Sequence, residues 1–182
     1  VRGTLDSLST LRRAPPPPIV SFRNVRKAFG DNVVLDDLNI ELLRGQTSVI
    51  IGPSGTGKSV FIKLLVGLLE PDRGQIVVDG VDVTAASETE LFGLRKRIGM
   101  MFQDGALFDS LTVGENIAFP LRRHTNKGHG EIRDLVAARL EQVGLPGIGG
   151  HMPAEISGGM RKRVSFARAI VLQPEIVLFD EP

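Results

Sequence analysis

One octapeptide, Gly52-Pro53-Ser54-Gly55-Thr56-Gly57-Lys58-Ser59, restricts what this chain can fold into more than any other stretch. It has the spacing G-x-x-x-x-G-K-[ST], follows the short apolar run QTSVIIG, and opens an apolar-periodic helix through Phe61, Leu64, Leu65 and Leu68. Glycines at these points let backbone N–H groups turn inward on phosphate oxygens, and the helix N-terminus adds partial positive charge. Such a loop reads as a nucleotide cradle, with Lys58 reaching the β- and γ-phosphates and the Ser59 hydroxyl ligating Mg²⁺. The flanking run then reads as a buried strand.

The remaining chain alternates strands and helices around this unit. Residues 1–18 form an arm stiffened by Pro15 to Pro18, and the folded part begins near Ile19. Two strands, IVSFRNVRKAF and VVLDDLNIEL, flank a turn at Gly30-Asp31-Asn32, and QIVVDG is a further strand after the stop Glu70-Pro71-Asp72-Arg73-Gly74. Ser87-Glu88-Thr89-Glu90 and Thr112-Val113-Gly114-Glu115 each fit a capping box. RIGMMFQ is a strand, Gly130 to Val143 a helix, and a helix from Ser157 to about Leu172 is broken by Pro174 before the strand EIVLFD. The alternation predicts an α/β domain over 19–182 with a largely parallel sheet, interrupted by an inserted helical region at about 84–160.

Two more elements carry chemistry. The apolar strand Ile176-Val177-Leu178-Phe179 ends in Asp180-Glu181, so Asp180 can hold the metal and Glu181 can polarise an attacking water. Ser157-Gly158-Gly159 opens a helix and makes a second anion-binding N-terminus without a lysine of its own. One chain has no need of two γ-phosphate sites. Two chains facing head to tail do, each offering Ser157 and the amides after it to nucleotide held by the other.

Composition narrows the partners. With no cysteine there is no disulfide framework and no thiolate zinc site; His124, His129 and His151 lack metal-ligand spacing. A formal charge of +1 supplies no global field for nucleic acid, so Arg95-Lys96-Arg97 and Arg161-Lys162-Arg163 read as solvated helix faces. No run approaches the ~20 apolar residues of a spanning helix, and the N-terminus has no secretory apolar core. Thr125 to His129 has histidine where a guanine-reading loop needs aspartate, which leaves adenine preferred.

The loop at 52–59, Gln103 after an apolar strand, Ser-Gly-Gly at 157–159 and the Asp180-Glu181 pair, in that order, resemble the ATP-binding cassette subunits of ABC transporters. The resemblance implies a P-loop NTPase of ABC type with a mixed central sheet, antiparallel strands at its N-terminus and an inserted helical subdomain. It implies ATP and Mg²⁺ as cofactors, with Gly52, Pro53, Ser54, Gly55, Thr56, Gly57, Lys58, Ser59 and Val60 around the phosphates. Phe29 occupies the place of the ring that stacks on adenine, and Ser157, Gly158 and Gly159 serve the partner's nucleotide. Catalysis then falls to Glu181, Lys58 and Gln103, with Ser59, Gln103 and Asp180 at the metal.

Residues 102–122, FQDGALFDSLTVGENIAFPLR, and ISGGMRKRVSFARAI with Met160 at the fifth signature position, further resemble the ATPases of Mla- and Mce-associated phospholipid importers. That implies an integral-membrane permease, a second ATPase subunit in a homodimer, a Mce-type lipid-binding subunit, and a place on the cytoplasmic face of the inner or plasma membrane. The rival is a soluble ABC-type ATPase of translation or DNA repair; a single phosphate loop and the lack of sustained heptads count against it. The family's opposite-subunit loop and histidine switch lie beyond Pro182, so residues 1–182 alone are expected to be C-terminally truncated and weak in hydrolysis.

Overall fold

A hairpin leads the fold, turned by Gly30 at φ 58°. Strands β1 (Val20–Phe29) and β2 (Asn32–Leu42) pair antiparallel from Val20↔Leu42 to Phe29↔Asn32. On the other side of β1 lies β3 (Arg73–Val78), also antiparallel, followed by the two-residue β4 (Val81–Asp82), giving the order β2-β1-β3-β4. The computed structural model describes residues 17–101 and 106–180. Gly74 is obligatory: at φ 95° a Cβ there would sit 2.5 Å from the Asn24 carbonyl oxygen.

Strands β5 (Ile98–Met101) and β6 (Ile176–Phe179) form a separate parallel pair, registered Ile98↔Ile176 to Met101↔Phe179. The expected mixed sheet is thus divided into two ladders, and among the described pairings only β5–β6 is parallel, against the largely parallel sheet that the alternation predicts. The run read as a buried strand, 46–52, joins neither. It runs alongside β6 across a cleft of about 620 Å³ lined by Val49, Ile50, Phe61, Leu65, Val177 and Phe179. With no neighbour within ladder distance its side chains do not bury, and Val49 and Ile51 stand 75% and 90% exposed. Apolar content marks a run as fit for a sheet, but only a paired neighbour makes it a strand.

Five α-helices, α1 (Lys58–Leu65), α2 (Glu88–Arg95), α3 (Val113–His124), α4 (His129–Gln142) and α5 (Gly158–Ile170), and two single 3-10 turns, Ile148–Gly150 and Pro153–Glu155, complete the described chain. Both expected capping boxes form, Ser87 with Glu90 and Thr112 with Glu115. Arg95 closes the C-terminal end of α1 by donating to the carbonyls of Val66 at 2.9 Å and Gly67 at 2.8 Å, groups a helix end leaves orphaned.

Two apolar clusters result. One gathers β1, β3, α1 and α2 around Phe22 and Phe61, whose rings stack at 4.4 Å. Burying each ring contributes about 1.5–3 kcal/mol. The other gathers α3, α4 and α5 around Ile117, Leu121, Val136 and Val164. Helix α5 belongs to the second yet also touches the parallel pair: a Cβ on Gly99 would lie 2.3 Å from the Ala169 carbonyl oxygen, and Phe166 stacks on Phe179 at 5.9 Å.

Candidate functional site

The phosphate loop sits between segment 46–52 and α1, and its shape follows from its residue types. Gly55 and Gly57 hold φ of 83° and 92°, conformations closed to most side chains. Gly57 is also the N-cap of α1, and a Cβ there would lie 2.6 Å from Val34 Cγ1, so the loop rests directly on β2. Thr56 Oγ1 donates to the Pro53 carbonyl at 2.8 Å and braces the turn. Lys58 donates from Nζ to the carbonyls of Gly52 and Pro53, each at 2.9 Å, folding its ammonium over the hollow of the loop.

Ser59, one residue into the helix, donates from Oγ to Asp180 Oδ1 at 3.1 Å. The pair is 121 residues apart in sequence and is brought together by β6, whose last residue is Phe179. The Asp180 N–H donates in turn to the Met101 carbonyl at 3.0 Å, so the ends of β5 and β6 are locked side by side. A hydroxyl and a carboxylate at this spacing are hard oxygen donors of the kind Mg²⁺ takes, usually with waters and phosphate completing its shell. Among the described residues no cluster of three or more His, Cys, Asp or Glu forms an all-protein metal cage. The Ser59–Asp180 donor pair fits a nucleotide-borne Mg²⁺.

Phe29 ends β1 with its ring 49% exposed, and Lys27 Nζ lies 5.4 Å from its centroid. Asp72 steadies this strand end, which sequence reasoning did not single out: Oδ2 accepts from the Ala28 N–H at 2.6 Å and Oδ1 from Lys27 at 3.0 Å. The Ala28 N–H first and Lys27 second hold the Asp72 carboxyl below the usual carboxylate range. The signal available was Pro71-Asp72 in a turn, where aspartate commonly reaches backbone N–H groups. Val34 was also missed, because nothing in an alternating strand tells which residue will meet a glycine.

Ser157 caps α5, with Oγ accepting from the Met160 N–H at 3.3 Å, and Gly158 and Gly159 are its first residues. The three are exposed. Gln103 and Glu181 lie outside the described residues. The apolar stretch beside Gln103 is partly described: Phe108 and Phe119 pack at 5.0 Å and both remain over 40% exposed.

Comparison with known proteins agrees with this geometry. Residues 35–182 match the ABC transporter family. The chain is 49% identical to the probable ribonucleotide transport ATP-binding protein mkl of Mycobacterium leprae, across 93% of this chain and 49% of that protein. It is 44% identical to the intermembrane phospholipid transport system ATP-binding protein MlaF of Haemophilus influenzae and 42% to that of Escherichia coli K12, across 90% of this chain and 62% and 61% of theirs. It therefore spans about half to three-fifths of these relatives. Among solved structures it resembles the ATP-binding cassette MJ0796 in a dimeric post-hydrolysis state bound to ADP and Pi, with TM-score 0.80 and 30% identity over 88% of this chain and 72% of that one. A second likeness is cbiO1 from Clostridium perfringens, part of the transporter complex cbiONQ, with TM-score 0.81 and 28% identity over 91% and 66%. A lysine folded over a glycine loop, a serine–aspartate pair at the residue after it, and a family match covering most of the sequence lead to one conclusion: the chain belongs to the ABC transporter family.

Proposed function

We propose that the protein carrying this chain is the ATP-binding and ATP-hydrolysing subunit of a membrane transporter that moves phospholipid or a related apolar cargo. The observation that carries the reading is the meeting of Ser59 with Asp180 next in sequence to the loop lysine, Lys58. Residues 52–60 would cradle the phosphates, Lys58 leaving its two carbonyl partners for phosphate oxygens, while Phe29 offers its exposed ring to adenine. Ser59, Gln103 and Asp180 would hold Mg²⁺, which when bound neutralises charge developing on the phosphates. Glu181 orients the attacking water and takes its proton.

Ser157, Gly158 and Gly159 serve nucleotide held by a second copy, and the dimeric cassette structure supports that arrangement. The helical region at about 84–160 faces the membrane partner, an integral-membrane permease, on the cytoplasmic side; a Mce-type lipid-binding subunit completes the assembly. Among the described residues no helix is long and apolar enough to cross a membrane. The lipid cargo is supported by Met160 in the signature and by the MlaF relatives, while the mkl relatives carry a ribonucleotide name.

The test uses the full-length protein. Lys58→Ala is expected to abolish ATP binding, and Glu181→Gln to keep ATP-driven dimerisation while turnover falls by about 10²-fold or more. Equilibrium nucleotide binding, sedimentation and phosphate release read the three quantities; turnover that survives Glu181→Gln would remove the base assignment.

A further inference from the structure

Four charged side chains meet at the end of the parallel pair remote from the phosphate loop. Asp79 lies in the β3–β4 turn at φ 47°, its side chain only 7% exposed. Its two carboxylate oxygens accept separately, one from Arg44 and one from Arg97, and Arg44 also reaches Glu175 at 2.9 Å. These residues sit at the roots of the site. Arg97 immediately precedes β5 and Glu175 immediately precedes β6, while Arg44 leads into the segment that ends in the phosphate loop. The Arg97 carbonyl accepts from the N–H groups of Glu175 at 2.9 Å and Ile176 at 3.2 Å, so the two strands start from one point.

The other ion pairs have local reach. Arg26–Asp36, Lys27–Asp72 and Arg73–Asp37 stay within the antiparallel sheet and its loops, Arg95–Glu88 joins the two ends of α2, and Lys127–Glu131 ties the loop before α4 to its first turn. The Asp79 cluster instead joins the antiparallel sheet to the parallel pair. That pair needs an anchor. Two strands of four residues make a marginal ladder, parallel pairing is weaker than antiparallel, and a slip of one residue turns every side chain to the other face. Such a slip would displace Asp180 from Ser59 by about 3.3 Å.

We infer that Asp79 is a positioning residue for ATP hydrolysis: through Arg97, and through Arg44 and Glu175, it fixes the register of β5 and β6 and so the approach of Asp180 to Ser59. The inference rests on the function proposed above. Removing the carboxylate leaves two guanidinium groups facing each other across an unpaired site, which repel instead of clamping. The phosphate loop itself is braced by Thr56, Gly57 against Val34, and Lys58, none of which touches the cluster. Binding of the phosphates and placement of the metal ligands should therefore separate on mutation.

The experiment compares the full-length protein with its Asp79→Asn variant, which has the same shape and tolerates positive φ equally well. Expected are a fall in kcat per folded molecule of about ten- to a hundred-fold, and a rise in the Mg²⁺ concentration for half-maximal rate of about ten-fold. Affinity for ATP without Mg²⁺ should stay within about three-fold, since the loop keeps its own braces. A purely structural role would lower thermal stability without moving the Mg²⁺ requirement. A wild-type protein without ATPase activity overturns the function proposed above. An active wild type whose Asp79→Asn variant keeps kcat within about two-fold overturns the role of Asp79. Where Asp79→Asn does not fold, Arg44→Gln decides. Arg44 is half-exposed and bridges Asp79 to Glu175 at the start of β6, while Arg97 keeps its own hold on Asp79, so the expected loss is a smaller shift in the Mg²⁺ requirement, and an unchanged requirement overturns the inference.

Discussion

Asn116 is fully buried in α3 and spends its amide on the chain in front of that helix. Its Oδ1 accepts from the Phe108 N–H at 2.8 Å, and its Nδ2 donates toward the carbonyls of Phe108, Leu111 and Thr112 at 3.0–3.1 Å. One side chain thus shapes the loop that follows Gln103, a job the sequence hides because asparagine at this point of a helix reads as neutral. Asn116→Ala should destabilise the fold by about 2–4 kcal/mol, since it strands a buried N–H and several carbonyls. Asn116→Asp should be no better, because its carboxylate would face those carbonyls; urea unfolding of both variants checks this. The residues of the phosphate loop were legible for the opposite reason. Their chemistry needs particular residue types at fixed spacing, whereas Val34, Asp72 and Asp79 act through tertiary placement that no local spacing encodes.

At the scale of elements, the helices followed their local signals closely because caps and apolar period act within a few residues. The serine and threonine that cap α2, α3 and α5 are the ones the sequence marks, and Thr112 accepts from the Glu115 N–H at 3.2 Å while Glu115 returns to the Thr112 N–H at 2.9 Å. Thr112→Ala should cost about 1 kcal/mol and Thr112→Ser much less, measured by thermal or chemical unfolding. Strands fared less evenly. The hairpin β1–β2 is sequence-local and formed as expected, but the run at 46–52 depends on what lies beside it. A pattern of side chains states how a segment would pair; it does not supply the neighbour.

For the whole molecule, charge sets a pH dependence with one sense. Backbone and side-chain hydrogen bonds hold Asp72, Glu90 and Glu115 below their usual carboxylate range; at Asp82 burial works the other way but is outweighed by bonds from Gln75, Thr84 and Ala85. Their stabilisation is complete above the unfolded carboxylate pKa and is lost as pH falls through the folded values. His124 is held low by burial first and by Lys96 and Arg123 next, so the fold favours its neutral form and weakens once the unfolded histidine begins to protonate. Urea midpoints should therefore fall in two stages, first below roughly pH 6.5 and again below roughly pH 4, with His124→Gln removing only the first. Alternation of strands and helices was enough to foresee an α/β molecule, while its division into two ladders and two apolar clusters came from contacts between distant segments. Gly99 has one more consequence. With no side chain to hold Ala169 away, α5 bears directly on β5, and its other end carries Ser157. The twelve residue steps from Ala169 back to Ser157 make a rigid arm of roughly 18 Å. A tilt of about 10° at that fulcrum would swing Ser157 by roughly 3 Å, the length of a hydrogen bond. Any bulk added at Gly99 is leverage applied to a surface that Gly99 never touches.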